Sequence, residues 1–185
     1  MDSKKRILNW KPSPKDPRDV PFAKASFLKA ARAAPEIPKR VDMRDFCSPV
    51  EDQGALGSCT AQALVGACEM LQMRANAGLL PCELSRLFAY YNGRRAMGAL
   101  YVKQDSGCFI RTVIKAAARV GICDEELWPY DEKAFAKKPS VGAYADATTW
   151  QLTGYASLNE KNTPATLLNI RRTLAAGFPV AFGFN

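Results

Sequence analysis

The stretch Asp52-Gln53-Gly54-Ala55-Leu56-Gly57-Ser58-Cys59-Thr60-Ala61-Gln62-Ala63-Leu64 runs from a two-glycine loop into an apolar, alanine-rich segment of helical spacing. That order puts the Cys59 sulfur at a helix N-terminus, where unpaired backbone N–H groups and the helix dipole favour negative charge. A thiol so placed is drawn towards thiolate, the nucleophilic form. The stretch therefore predicts a nucleophilic cysteine. A small buried cysteine at a helix start is the competing reading of the same residues.

Other chemistries find little support. The six cysteines (Cys47, Cys59, Cys68, Cys82, Cys108, Cys123) form no C-x-x-C pair, and the 185 residues contain no histidine. This argues against a structural zinc site and predicts neither metal nor cofactor. Disulfide pairing stays open, since a chain of this length can stabilise itself by burial. The net charge of +8 is concentrated early, at Lys4, Lys5, Arg6, Lys11, Lys15, Arg18, Lys24 and Lys29. Asp16, Asp19 and Glu36 interrupt it, so it reads as a solvated face rather than a nucleic-acid surface. No run approaches the roughly 20 apolar residues of a membrane span, and no secretory signal is visible. The expectation is a cytoplasmic protein, with a secreted or virion-associated one left open.

The elements that must position Cys59 follow from punctuation and periodicity. Residues 1–40 read as an extension, because Pro12, Pro14, Pro17, Pro21, Pro35 and Pro38 break any long helix. A short helix fits Ala25–Ala34, with Trp10 and Phe22 as anchors on the domain surface. Residues 41–185 form the domain. Ala61, Leu64, Val65, Cys68 and Leu71 predict a long buried helix from Ser58 to about Asn76, stopped by Gly78. Further helices fit Ser85–Arg95 and Phe109–Val120, the latter closed by Gly121. Residues 131–150 read as irregular and Thr149–Tyr155 as a strand. Thr163-Pro164 starts a helix running to Gly177, and Phe178–Asn185 reads as a buried strand.

Gln53-Gly54-Ala55-Leu56-Gly57-Ser58-Cys59 resembles the Q-G-x-x-G-S-C active-site loop of papain-like cysteine peptidases. Further matches come in family order: Leu84-Ser85, Ser106-Gly107-Cys108, Gly121 with Glu126 and Trp128-Pro129-Tyr130, and Leu174–Val180. The Gly-Ser-Cys-Thr-Ala variant is similar to the prokaryotic and viral branch. The resemblance implies an α+β, papain-like fold, with residues 41–185 as its helical half and the first strand of its β-rich half. It implies a thiol peptidase acting on protein or peptide substrates. Cys59 is then the nucleophile and Gln53 an oxyanion donor beside the Cys59 N–H. Gly57, Ser58, Ile110 and Arg111 fall where the substrate lies.

Three departures qualify the likeness. Leu56 stands where many members have a cysteine bridged to the Gly-Cys element, so Cys108 needs another partner or none. Ile110 and Arg111 replace glycines along the cleft. The general-base histidine and its asparagine, expected roughly 130–150 residues beyond the cysteine, have no counterpart here. The expectation is a C-terminal remainder that supplies them, an inactive isolated chain, and an extension acting as a propeptide in a zymogen. The alternative is a catalytically inactive papain-like structural or binding protein.

Overall fold

The computed structural model describes residues 11–34, 36–160 and 162–184. Six α-helices form among them: α1 (Lys29–Ala33), α2 (Cys59–Ala75), α3 (Arg86–Met97), α4 (Ile110–Val120), α5 (Val141–Ala147) and α6 (Thr163–Ala175). The main core lies between α2, α3 and α4. Ala61, Leu64 and Val65 meet Phe88, Ala89 and Tyr90, with Val113, Ala117 and Ala143 completing the contact. Each large apolar side chain buried there contributes about 1.5–3 kcal/mol. Because α3 is buried on nearly every side from Arg86 to Arg94, it is the rod on which the others rest.

A second, smaller core ties the N-terminal segment to the far end of the chain. Phe22, Ala25, Leu28 and Ala31 pack on Ala156, Leu158, Ala176 and Phe178, and the Phe27 ring meets Phe178 edge-on at 5.4 Å. Phe22, only 3% exposed, is an anchor as the sequence suggests. Trp10 lies outside the described residues.

Helix ends follow local chemistry. Ser85 Oγ accepts from the Phe88 N–H at 3.1 Å, a side-chain cap for α3. The α2 stop uses two left-handed residues, Ala77 (φ 52°) and Gly78 (φ 90°), and the Gly78 N–H returns to the Met73 carbonyl at 2.7 Å. Gly121 (φ 79°) ends α4. A Cβ there would collide with the Ala147 carbonyl oxygen, so conformation and space both require glycine.

Several expectations are corrected. Residues 131–150 are not all irregular: α5 starts behind Ser140, whose Oγ accepts from the Ala143 N–H at 3.1 Å, and it buries Ala143 and Ala147 completely. The cap of α6 is Asn162, whose Oδ1 accepts from the Ala165 N–H at 2.9 Å, one residue earlier than Thr163. Residues 149–155 and 178–184 form no strand. Extended pairing among the described residues is limited to two isolated bridges, Pro21 with Ser157 and Leu84 with Asp124. A strand exists only through a partner, and neither segment has a ladder partner here. Phe182 and Phe184, expected in a buried strand, are 71% and 70% exposed. The described residues thus contain the helical half of the expected α+β architecture and not the start of a β-rich half. None of their helices is long and apolar enough to cross a membrane.

Candidate active site

Cys59 is the first residue of α2 and its side chain is exposed. The α2 backbone begins on the Ser58 carbonyl, which accepts from the Ala61 and Gln62 N–H groups at 2.9 and 3.0 Å. The first-turn N–H groups of any helix lack acceptors within it, so the sulfur sits where the helix is most electropositive. The sequence expectation of a cysteine at a helix start is met, and the buried-cysteine reading fails on exposure.

The loop before Cys59 is pinned by three residues from outside it. Gly57 N–H donates to both carboxylate oxygens of Asp105 at 3.0 Å, and Ala55 N–H donates to Glu132 Oε2 at 3.1 Å. Tyr130 hydroxyl donates to the Gln53 carbonyl at 2.9 Å and takes a 2.7 Å hydrogen bond from Ser58 Oγ. Within the loop, Gln53 Nε2 donates to the Leu56 carbonyl at 2.7 Å. Gly54 (φ 60°) lies in the left-handed region that favours glycine, and it leaves room for the Glu132 carboxylate beside its backbone.

The Asp105 pin rests on α3. Tyr90 hydroxyl donates to Asp105 and accepts from the Gly107 N–H. Burial, then the Asp105 hydrogen bond, pushes the Tyr90 pKa above the usual phenol range, keeping it a neutral donor. One turn on, fully buried Arg94 gathers the chain that carries Asp105. Its guanidinium donates to the carbonyls of Val102 at 3.1 Å, Gln104 at 2.8 Å and Phe135 at 2.5 Å, and it stacks 4.0 Å over the Tyr90 ring. Arg94 and Tyr90 therefore fix Asp105, which fixes Gly57.

The six residues singled out from sequence gather at the N-terminal ends of α2 and α4 and the loops leading in. Gln53 is half-buried, with one Nε2 hydrogen used on Leu56 and the second remaining. Ser58 is fully buried and its hydroxyl is committed to Tyr130, so its side chain presents nothing to a ligand. Ile110 opens α4. Arg111 is already engaged, pairing with the Asp19 carboxylate and donating to the Pro14 carbonyl. Beside it, Lys115 pairs with Asp16 at 2.7 Å and Asp19 at 3.4 Å. The Arg18 side chain, and next Lys115, hold the Asp16 carboxyl below the usual carboxylate range.

The thiols divide by exposure. Cys47 and Cys59 are exposed, whereas burial first of all pushes Cys68, Cys82 and Cys123 up to about 12 and Cys108 up to about 11. All six are free. With Leu56 in place of a bridging cysteine, Cys108 Sγ instead meets Thr60 Oγ1 at 2.9 Å. Among the described residues no group of three His, Cys, Asp or Glu side chains could hold a metal.

Sequence reasoning missed Tyr90, Arg94, Asp105 and Glu132. Only Tyr130 carried a signal, as the last residue of Trp128-Pro129-Tyr130.

No family profile matches the chain. It is 41% identical over 139 residues to an uncharacterized peptidase C1-like protein of Acanthamoeba polyphaga mimivirus, covering 72% of this chain and 43% of that protein. Among solved structures it is similar to xylellain, a cysteine protease from Xylella fastidiosa. There the TM-score is 0.70 and the identity 31%, over 92% of this chain and 63% of that one. A digestive procathepsin L-type proteinase from Tenebrio molitor larval midgut aligns with TM-score 0.54 and 25% identity, over 67% of this chain and 37% of that one. The chain thus spans less than two thirds of each of these relatives. In sequence and in fold, this chain is a homologue of the papain-like cysteine peptidases.

Proposed function

We propose that this chain carries the nucleophile side of a papain-like peptidase acting on protein or peptide substrates. The observation that carries the reading is an exposed Cys59 at the start of α2 behind a loop pinned by Asp105, Tyr130 and Glu132. The Cys59 thiolate attacks a peptide carbonyl carbon, and the Cys59 N–H with the free Gln53 amide hydrogen stabilises the oxyanion. Collapse of that intermediate expels an amine that needs a proton, and no histidine exists in these 185 residues to give one. The imidazole and its asparagine then come from sequence C-terminal to Asn185. The segment carrying Asp16 and Asp19 acts as a strap, since these two carboxylates already occupy Arg111 and Lys115 beside Ile110, and removal of the N-terminal extension completes a zymogen step.

The absence of histidine also favours a second reading, a catalytically inactive papain-like binding protein. One experiment separates the two. Joining the downstream reading frame to the chain should yield hydrolysis of a fluorogenic peptide that Cys59→Ala abolishes, while the 185 residues alone give none. A stop codon directly after Asn185, with peptide binding but no turnover, supports the binding protein instead.

A further inference from the structure

At the opposite end of α4 from Ile110, three exposed cationic residues line one cavity. Arg95 from the last turn of α3, Arg119 from the last turn of α4, and Lys138 from the segment before α5 line about 450 Å³. No aspartate or glutamate lines it, and no ion pair joins any of the three to a described carboxylate. Ala96, Ala116, Val120, Tyr144 and the polar Asn92 complete its lining. The Tyr144 hydroxyl is turned away from any ligand role, donating to Asn92 Oδ1 at 2.9 Å.

Basic residues in the last turn of a helix often serve only to offset its dipole. That role explains less than what gathers here. Two helix C-termini bring roughly half a negative charge each, so three full positive charges leave a surplus of about two. Lys138 belongs to neither helix. The volume lies in the range of small-molecule sites, roughly 300–1,000 Å³, and exceeds what one inorganic anion fills. Guanidinium forks match phosphate oxygens, and a phosphate monoester carries about −1.5 to −2 charge at neutral pH. We propose that this cavity binds a small organic phosphate monoester, its phosphate held by Arg95, Arg119 and Lys138 and its organic group laid on Ala96, Val120 and the Tyr144 ring.

The test titrates the full chain with phenyl phosphate, inorganic phosphate and phenol, following backbone amide NMR signals. Phenyl phosphate should bind saturably and shift Ala96, Val120 and Tyr144 most. Inorganic phosphate should bind more weakly at the same place, and phenol should not bind. Arg95→Gln with Arg119→Gln and Lys138→Gln should weaken phenyl phosphate at least about tenfold, the loss of one good charged contact or more. A charge-matched control, Lys24→Gln with Lys29→Gln and Lys39→Gln, removes exposed cations elsewhere and should change it less than about twofold. If the triple variant fails to fold, Lys138→Gln alone, an exposed loop position, still weakens binding. Equal loss in the control, shifts scattered over the basic surface, equal affinity for inorganic phosphate, or no saturation by about 1 mM each overturns the proposal.

Discussion

The loop before α2 and the segment around Asp16 are both held against the domain, but by different physics. The Gln53–Ser58 loop is tied by hydrogen bonds to Tyr130 and to Asp105, the latter held by buried Tyr90 and Arg94. The Asp16–Asp19 segment is tied by ion pairs between part-exposed side chains. Directional hydrogen bonds anchored on fully buried Tyr90 and Arg94 define one geometry, although Asp105 itself is exposed. Ion pairs between flexible side chains are individually weak and screened by salt. A nucleophile needs the first kind of support; a removable strap needs the second. Farther along, the Phe22–Phe178 core fastens the same N-terminal segment hydrophobically, so loosening its ion pairs frees only its leading part.

The sharpest way to break this contrast is at Asp105. Asp105→Ala removes the acceptor of both Gly57 and Tyr90, and chemical denaturation should show a loss of about 1–3 kcal/mol, mostly from stranding the hydroxyl of buried Tyr90. Tyr130→Phe leaves the Ser58 hydroxyl and Gln53 carbonyl without their link, a smaller loss of about 1–2 kcal/mol by the same measurement. Unchanged stability in both would mean the loop is not pinned as described.

Glu125 sharpens the comparison through pH. Its Oε1 accepts from the Tyr130 N–H at 2.5 Å, while its buried Oε2 has no partner, and burial pushes its pKa up to about 7 from the ordinary 4.5. A raised carboxyl pKa favours the folded state fully below the unfolded value, and that contribution is lost as pH rises through the folded one. Melting temperature should therefore fall between about pH 4.5 and 7, and Glu125→Gln should flatten that slope.

The smallest effect is expected at the strap. Asp16→Asn with Asp19→Asn should leave global stability nearly unchanged yet speed proteolysis near residues 11–19. High salt should act like the double variant. Mild acid should not, because the depressed Asp16 pKa keeps its contribution intact above about pH 3.9, lost only in stronger acid. Strap cleavage indifferent to both salt and charge removal would show that apolar packing alone holds it.

What the sequence made legible was local. The start of α2 at Cys59, the Ser85 cap and the Gly121 stop each depend on residues within a few positions. The supports of the site depend on partners far apart. Asp105 lies 48 residues from Gly57 and Tyr130 lies 77 from Gln53, so no spacing rule points to them. Helix α5 was hidden because Gly142 and the surrounding turn residues weaken its pattern, and burial against Gly121 overrides that weakness. The segments at 149–155 and 178–184 read as strands from their apolar content, but a strand requires a neighbour that composition cannot reveal.

The central claim is that helix position, rather than exposure alone, sets Cys59 apart. Cys47 is the natural control, since both thiols are exposed and only Cys59 sits at a helix start. Timed iodoacetamide labelling at neutral pH, read by peptide mass spectrometry, should find Cys59 labelled several-fold faster. Cys47 labelling as fast as Cys59, or faster, would contradict the account.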